Sequence, residues 1–345
     1  MHMYTQGHSR LISTGAYIPE QRVTSREIME QIDSENRFGL DVHWLERVTG
    51  IIERRVSDPG LEPSDIASLA ALEALDCACC LVKDVDAIIY AGMTRDKVEP
   101  STAHYVQHKL GAKNAIALDV SNACLGFMNG IHLMDALIAT GQVRRGLIVT
   151  GEQGSRYVQN ALELLINTRD REMLNRLAAG LTLGDAGGAV LLGPKLGPDS
   201  GIMELGIGSN GAYANLCTIR NDFASLETDM TPLFQETAKM AYELYTNMMN
   251  NRLKWSPDRL DFYIPHQVGI KALRVHARKA GVDMAKVPNI ISTMGNIISA
   301  TFPVALTQLL KENKLKQGQR LFLSGTGSGI SIAQAGVIWD ATYIG

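Results

Sequence analysis

Short runs of apolar, often β-branched residues alternate along the chain with longer segments in which apolar residues recur every three or four positions. The short runs predict strands and the longer segments predict helices, an alternation typical of an α/β protein. The predicted strands are 11–16, 87–91, 115–119, 146–151, 189–192, 201–207, 262–264, 289–292, 320–324 and 330–337. The predicted helices are 62–80, 101–110, 126–140, 232–250, 268–280 and 303–312.

The predicted strands fall into two sets whose sequences resemble each other, which indicates an internal duplication. Residues 145–151 match 319–325 at an offset of 174, which also sets Cys124 against Ile298 and places Asn296 in the matching turn. We therefore predict two pseudo-symmetric halves, 1–195 and 196–345, that bring Cys124 and Asn296 close together.

The correspondence breaks down over residues 152–183, which we interpret as an insertion that caps a pocket. Several of its apolar residues recur at helical spacing, and we expect them to face an acyl tunnel. They are Leu162, Leu164, Leu165, Met173, Leu174 and Leu177. The alternative is that they pack only against the core or a partner subunit.

Composition and charge narrow the class of protein. The 345 residues are 46% hydrophobic and 20% charged, as in ordinary globular chains, which excludes disorder and fibrous repeats. A net charge of −3 leaves no basic field for nucleic acid. Apolar stretches are too short to span a bilayer, and the N-terminus lacks the regions of a signal peptide. We therefore expect a cytoplasmic protein with neither nucleic acid nor membrane as partner.

Three residues are candidates for chemistry. Cys124 lies where a predicted strand turns into a helix, and a helix N-terminus is expected to lower the pKa of a thiol. His266 and Asn296 occupy strand-to-helix junctions of the second half. Alone, each could be structural, as a buried cysteine, a bonded histidine or a helix cap. Together they fit acyl transfer, in which a thiolate holds an acyl group and two polar groups hold an oxyanion.

The segments around these residues resemble a known family. Asn-Ala-Cys124, Pro-His266-Gln and Gly-Asn296 are similar to motifs of the thiolase superfamily, specifically of the ketoacyl synthase III type. Three further segments resemble that family in the same order along the chain. They are 49–55, 184–190 and 325–329.

This resemblance implies a fold and a set of roles. The fold would be a five-layered αβαβα thiolase fold, and the protein would be a homodimer. Cys124 would be the acylated nucleophile, and His266 and Asn296 would bind the carbonyl of the second thioester as it becomes an enolate. The backbone amides of Cys124 and Ser328 would form the other oxyanion hole.

A glutamate points to one branch of the family. Glu99-Pro-Ser-Thr is similar to the OleA-type head-to-head condensing enzymes and to the pyrone-forming ketosynthases. A donor without a malonyl carboxylate must lose an α-proton, which a desolvated carboxylate can accept. The resemblance thus implies that Glu99 of one subunit is the base in the other. Alternatively, Glu99 stabilises the N-terminus of the following helix.

Four residues are candidates for binding the carrier of the acyl group. Trp44 resembles the coenzyme A-stacking tryptophan of the family, and Arg47 stands one place before the arginine expected there. Lys271 and Arg274 would meet an acyl carrier protein or a phosphopantetheine phosphate, unless they form only a solvated helix face. The histidines lack metal-ligand spacing, and no dinucleotide fingerprint follows the first strand, so we expect no cofactor.

The sequence therefore predicts an acyltransferase that joins two acyl or β-ketoacyl thioesters by Claisen condensation through an acyl-Cys124 intermediate. The thioesters would be bound to coenzyme A or acyl carrier protein, and the product would be of β-keto or pyrone type. Three alternatives stay open. They are a decarboxylative ketoacyl synthase III that uses malonyl carrier protein, an acyltransferase to an alcohol or amine, and a non-catalytic carrier-docking subunit.

Overall fold

The computed structural model describes residues 2–219 and 225–341. Its strands are β1 (His2–Gln6), β2 (Ser9–Tyr17), β3 (Arg22–Thr24), β4 (Glu53–Arg55), β5 (Ala87–Tyr90), β6 (Ile116–Asp119), β7 (Gly146–Gln153), β8 (Asp185–Pro194), β9 (Gly201–Tyr213), β10 (Cys217–Ile219), β11 (Leu226–Thr228), β12 (Phe262–Pro265), β13 (Arg320–Gly327) and β14 (Gly329–Ile338).

The α-helices begin and end within a few residues of the predicted ones where a prediction was made, and shorter helices join them. They are α1 (Ser25–Gln31), α2 (Ser34–Phe38), α3 (Trp44–Thr49), α4 (Pro63–Cys77), α5 (Thr102–Leu110), α6 (Gly126–Ala139), α7 (Ser155–Leu165), α8 (Arg171–Leu177), α9 (Met230–Asn247), α10 (Ile270–Ala280), α11 (Ile291–Met294) and α12 (Thr301–Lys311). Within the described ranges, no helix is long and apolar enough to cross a lipid bilayer.

Two five-stranded sheets form the frame of the molecule. The first has the strand order β2-β8-β7-β5-β6, and the second has the order β1-β9-β14-β13-β12. In both sheets a parallel pair, β5 with β7 and β12 with β13, adjoins antiparallel strands. One strand of each parallel pair, β7 and β13, contains the segments that the sequence offset matched. The division at 195/196 lies between β8 and β9 and stays a prediction.

Helices fill the space between the sheets and cover their outer faces. α6 contacts β7, β8 and β14, and α12 contacts β2, β8 and β12, so both lie between the sheets. α4 and α5 pack on the outer face of the first sheet, and α9 and α10 pack on that of the second. The expected αβαβα order of layers is therefore present.

Apolar side chains of the central helices join the two sheets into one core. Phe127 of α6 and Phe302 of α12 are fully buried in the same cluster as Ile148 of the first sheet and Leu323 of the second. Burial of one such aromatic side chain stabilises the fold by about 1.5–3 kcal/mol. The central layer thus fixes the two sheets, and the turns at their edges, relative to one another.

One predicted strand, 289–292, is wrong. Its C-terminal part begins α11, and the fifth strand of the second sheet is β1, which pairs with β9 at the opposite edge. The amides of Ile290 and Ile291 donate to the side-chain oxygen of buried Gln267, at 3.1 and 3.0 Å. Because these amides are occupied, they cannot form a ladder with β12.

Candidate active site

A cavity of about 520 Å³ lies between the two halves, a size typical of ligand pockets. Cys124, His266, Asn296 and Ser328, which the motifs singled out, all line it. The remaining wall is mainly apolar. It includes Leu45, Val48, Met93, Tyr157, Leu183, Ile219, Leu226, Leu233, Phe234 and Ile298. The structure therefore brings the four residues together in an apolar cavity.

Cys124 occupies a tight turn between β6 and α6. Ala123 before it has φ 47°, in the left-handed region that side chains with a Cβ seldom adopt. Gly126 begins the helix, and a Cβ there would lie 2.5 Å from the carbonyl oxygen of Ala91. A side chain at 126 would push the turn away from the sheet, so the glycine lets the thiol sit at the cavity wall.

The environment of the thiol is apolar. Burial raises the pKa of Cys124 well above its usual value, and nearby Cys217 and Glu152 raise it further. The expected lowering by the helix N-terminus is therefore wrong, because the cost of burying a thiolate exceeds the effect of the dipole. The resting group is a thiol, and it must transfer its proton to a base in order to attack.

The second half contains a turn of the same shape. Ile298 has φ 53°, and α12 begins at Thr301, as Ala123 and Gly126 do in the first half. The local offset is therefore 175, and Ser299, rather than Ile298, is the counterpart of Cys124. The predicted pairing of Cys124 with Ile298 is off by one residue, because the turns follow an offset of 175, the same as that between the starts of β5 (Ala87) and β12 (Phe262).

His266 follows β12 and is buried. Its backbone N–H donates to the carbonyl oxygen of Ser324 at 2.9 Å, and its Nδ1 lies 3.2 Å from the hydroxyl oxygen of Thr301. Its Nε2 has no hydrogen-bond partner among the described residues. Burial, with a smaller effect of His276, lowers the pKa of His266 to about 4. The imidazole is therefore neutral, and its Nε2 is unoccupied.

Asn296 is held by both its backbone and its side chain. Its N–H donates to Thr182 O at 2.9 Å, and its carbonyl accepts from Gly184 N at 3.1 Å. Its Oδ1 accepts from the amide of Ile298 at 3.0 Å, so the NH2 group is the end of the side chain that is left for a ligand. The turn is also close to the cap, since a Cβ at Gly295 would lie 2.7 Å from Thr182 O.

Ser328 lies at the turn between β13 and β14. A Cβ at the preceding Gly327 would come within 2.9 Å of the Cβ of Leu125 and 3.2 Å of the carbonyl oxygen of Asn122. The β13–β14 turn thus packs directly against the turn that carries Cys124. The two predicted sources of oxyanion-hole amides are neighbours at the cavity wall.

Glu99 is not part of this cavity within one chain. It lies exposed on the connection between β5 and α5, next to Val98, which is 87% exposed. The structure therefore does not bring it to Cys124 of its own chain.

The predicted carrier-binding residues lie near the cavity but do not line it. Trp44 is half-buried at the start of α3, and Arg47 on that helix is exposed and paired with Asp41 at 2.6 Å. Lys271 and Arg274 are exposed on α10. Both helices also contribute to the cavity wall. Their lining residues are Leu45, Val48, Thr49 and His276.

The prediction for the apolar residues of the cap is wrong. None of the six lines the cavity. Leu162, Leu165, Leu174 and Leu177 are buried in a cluster with α1 and α2, Met173 packs at its margin, and Leu164 is 42% exposed. The side chains of the four buried leucines lie within this cluster and do not line the cavity. The cap lines the cavity with other residues, which are Tyr157, Ala178, Ala179, Thr182 and Leu183.

Sequence reasoning missed a buried carboxylate beside the cavity. Glu152, near the end of β7, is fully buried and accepts hydrogen bonds from the amides of Met93, Thr94 and Ser299 at 2.9, 3.1 and 3.3 Å. The hydroxyls of Thr94, Thr150 and Ser299 also donate to it. Burial raises the pKa of Glu152, and the hydrogen bonds oppose that shift. Only its position as the first residue of the insertion, just after a predicted strand, could have drawn attention to it.

Two further residues of the cavity wall were also missed. Cys217 on β10 lines the cavity, and burial raises its pKa to about 11. His276 on α10 lines it too, packs edge-on against Phe234, and has its pKa lowered to about 4 by burial. Neither residue belongs to a recognisable motif, so only the fold brings them to the site.

Family comparisons agree with this geometry. Residues 118–211 match the family described as 3-oxoacyl-[acyl-carrier-protein (ACP)] synthase III. Residues 251–339 match the family described as its C-terminal part. The first segment contains Cys124, and the second contains His266, Asn296 and Ser328.

Individual relatives cover nearly the whole chain. The β-ketoacyl-[acyl-carrier-protein] synthase III of Oceanobacillus iheyensis is 30% identical, over 95% of this chain and 98% of that protein. The acyl-CoA:acyl-CoA alkyltransferase of Xanthomonas campestris pv. campestris is 32% identical, over 92% of this chain and 94% of that protein. A crystallised Cys-to-Ser variant of Xanthomonas campestris OleA with bound lauric acid and lauroyl-CoA superposes with a TM-score of 0.90 at 29% identity. It covers 97% of this chain and 100% of that one.

The chain therefore belongs to the ketoacyl synthase III family of the thiolase superfamily, and it is a condensing acyltransferase with the α/β thiolase fold. Within that family it is of the OleA type, since both a curated relative and the solved structures of that type match it over nearly its full length.

The two buried histidines predict how stability depends on pH. The pKa of both His266 and His276 is about 4 in the folded protein, against an ordinary value of 6.5. Unfolding therefore takes up protons between these values, so the free energy of unfolding is highest above pH 6.5 and falls as the pH drops towards 4. Each histidine contributes at most about 1.4 kcal/mol per pH unit.

Replacement of His276 by Gln should reduce this slope, which urea unfolding across the window measures. His43→Gln, at an exposed histidine, is the control and should leave the slope unchanged. An unaltered slope in His276→Gln would contradict the account.

Proposed function

We propose that this protein joins two acyl thioesters by a Claisen condensation without decarboxylation. The observation that carries the proposal is one apolar cavity whose wall includes Cys124, His266 and Asn296. Within the described part of the chain, Nε2 of His266 has no hydrogen-bond partner. An acyl chain that leaves water for such a cavity gains about 0.8 kcal/mol for each buried methylene.

In the first half-reaction Cys124 is acylated. Its thiol loses a proton, the sulfur attacks the carbonyl carbon of the first thioester, and the carrier sulfur leaves as a thiol. The negative oxygen of the tetrahedral intermediate is held by the amides of Cys124 and Ser328, whose turns pack together. Donors fixed in advance stabilise this charge without reorganising.

In the second half-reaction another acyl thioester becomes the nucleophile. A carboxylate removes its α-proton, and the enolate oxygen is held by the NH2 group of Asn296 and by protonated Nε2 of His266. The enolate carbon attacks the acyl-Cys124 carbonyl, which releases the sulfur of Cys124. His266 and Asn296 thus act where charge develops, which is what lowers the barrier.

The carboxylate in this proposal is Glu99 of a partner subunit. Glu99 is exposed and does not line the cavity of its own chain, so as the base it would act in the cavity of a second chain. β6 supports a homodimer, because among the described strands it lies at the edge of its sheet and pairs only with β5, and its apolar Ile116 is 54% exposed. Two such edges can pair with each other, and the loop that carries Glu99 would then approach the partner.

The substrates and setting are part of the same proposal. Acyl-CoA is the substrate class that the bound lauroyl-CoA of the structural relative supports. Acyl carrier protein is the alternative carrier, for which Lys271 and Arg274 offer exposed positive charge, and Trp44 and Arg47 would border the pantetheine entrance. β-Ketoacyl donors would lead to pyrone-type products. The reaction would take place in the cytoplasm and would require no metal or redox cofactor.

Decarboxylative chain initiation is the second candidate, which the relative from Oceanobacillus iheyensis favours. The two reactions differ in their need for a base, since loss of carbon dioxide from a malonyl donor generates the carbanion directly. Replacement of Glu99 therefore distinguishes condensation without decarboxylation from decarboxylative chain initiation.

Glu99→Gln should abolish condensation of a saturated acyl-CoA while leaving acylation of Cys124 intact. Loss of a general base lowers the rate by about 10²–10⁴-fold. Product analysis by mass spectrometry measures condensation, and the intact mass of the protein measures acylation. Glu163→Gln, at an exposed glutamate of α7, is the matched control. Unchanged condensation in Glu99→Gln, or condensation only with malonyl donors, would reject the head-to-head reaction.

The cavity wall predicts chain-length preference. Ala179 lines the cavity, whereas Leu164, in the same cap, is exposed. Ala179→Phe should fill substrate space and shift preference from lauroyl-CoA to hexanoyl-CoA, and Leu164→Phe should not. Competition between the two acyl donors, read as the ratio of Cys124 adducts, measures the shift. An equal loss with both donors in Ala179→Phe would indicate damage to packing instead.

A further inference from the structure

Arg54, which lies on β4 within the segment 49–55, is a buried cation next to the cap. The residue is only 1% exposed. Burial lowers the pKa of its guanidinium to about 10, an effect that exposed Glu27 opposes, and the group therefore stays charged at neutral pH. Among the described residues no carboxylate forms an ion pair with it, so uncharged oxygens must satisfy this buried charge.

Oxygens from three separate segments accept hydrogen bonds from this guanidinium. Its Nη1 donates to the carbonyl oxygen of Val23 on β3 at 3.3 Å. Its Nη2 donates to the hydroxyl oxygen of Ser25, at the start of α1, at 3.2 Å and to the carbonyl oxygen of Leu181, in the cap, at 2.9 Å. Because a planar guanidinium presents its donors in a fixed fork, one side chain can join β3, α1 and the cap.

The stem of Arg54 contacts the backbone around Asn296. A Cβ at Gly184 would lie 3.1 Å from the Cβ of Arg54, and a Cβ at Gly295 would lie 2.8 Å from it. Gly295 immediately precedes Asn296, and the amide of Gly184 donates to the Asn296 carbonyl oxygen at 3.1 Å. Arg54 therefore packs against both segments that fix the backbone of Asn296.

The bond from Arg54 to Leu181 continues into the cavity wall. Thr182, the next residue, lines the cavity, and its carbonyl oxygen accepts from the amide of Asn296 at 2.9 Å. Leu183 also lines the cavity and forms an isolated β-bridge with Asn296. If the cap moved away at Leu181, it would take with it the acceptor that holds Asn296.

We propose that Arg54 is a positioning residue for Asn296: its fork holds residues 181–184 of the cap, and these hold the asparagine turn in the geometry that the second substrate requires. The inference rests on the proposed function, in which the NH2 group of Asn296 binds the enolate oxygen. The turn that carries Cys124 has no hydrogen bond to Arg54 within the described part of the chain. Acylation of Cys124 therefore does not need the fork, whereas condensation does.

Arg54→Met keeps an unbranched side chain and removes the fork, so the carbonyl of Leu181 loses its donor. We expect kcat for condensation of lauroyl-CoA to fall at least about tenfold, the effect of one charged hydrogen bond, while Cys124 is acylated at the wild-type rate. Arg54→Lys keeps the charge without the fork. It should therefore condense as slowly as Arg54→Met, and it serves alone if the methionine variant does not fold.

Arg55→Met is the matched control, because Arg55 is the next residue of β4 and its guanidinium donates to the carbonyl oxygen of Pro19 at 3.1 Å rather than to the cap. It should acylate and condense as the wild type does. Hydrogen exchange followed by mass spectrometry reads the asparagine turn without any reaction. We expect the amides of Gly184 and Asn296 to exchange about tenfold faster in the Arg54 variants than in Arg55→Met.

The outcomes separate the two claims. A folded Arg54 variant that condenses at the wild-type rate, or one that loses acylation and condensation equally, would overturn the positioning role of Arg54. Unchanged exchange of the Gly184 and Asn296 amides would overturn it too. A wild type that forms no condensation product from lauroyl-CoA would overturn the proposed function, while hydrogen exchange would still decide whether Arg54 holds the asparagine turn.

Discussion

The buried carboxylate of Glu152 is the constraint on which the site depends. A carboxylate removed from water costs several kcal/mol unless its oxygens are fully bonded, and here backbone amides and hydroxyls from three segments supply the bonds. One segment, Met93–Thr94, begins the connection that leads to Glu99. Another, at Ser299, stands between Asn296 and Thr301. Neither segment can shift without leaving an oxygen of this buried side chain without a hydrogen bond, so the polar groups of the cavity are held before substrate arrives.

The two halves of the duplicated core use equivalent turns for different purposes: one carries the proposed nucleophile, and the other carries a residue that holds a buried carboxyl group. Cys124 and Ser299 follow turns of the same backbone shape, each with a residue of positive φ. The thiol of Cys124 reaches the cavity wall, whereas the hydroxyl of Ser299 is fully buried and donates to Glu152. The same local geometry therefore produces a nucleophile in one half and an anchor in the other. What differs is the surroundings of the side chain, which are apolar space for Cys124 and a carboxylate for Ser299.

Hydrophobic periodicity was sufficient to predict most strands and the helices that pack between and on the two sheets, because long amphipathic segments pack in the layers that their apolar faces demand. Those helices are α4, α5, α6, α9, α10 and α12. It failed at 289–292, where the side chain of Gln267 takes the backbone amides that a ladder would need. It also failed for the leucines of the cap, because an apolar stripe does not reveal whether it faces a cavity or a neighbouring helix. The grouping of Cys124, His266 and Asn296 could be read from their motifs.

The pKa of the thiol, the contact of Thr301 with His266 and the network of Glu152 could not be predicted in this way. Each depends on burial and on partners far apart in sequence. Neither the sequence nor the structure of one chain shows which site Glu99 belongs to, since its proposed role requires a second subunit.

The central claim is that Cys124 is the nucleophile of this cavity, and the cavity contains a second thiol, Cys217, as an internal comparison. Peptide mapping by mass spectrometry after exposure to lauroyl-CoA tests it most directly. The account predicts one acyl group on Cys124 and none on Cys217, an adduct that is lost in Cys124→Ala and kept in Cys217→Ala. An acyl group on Cys217, or an adduct that persists in Cys124→Ala, would contradict it.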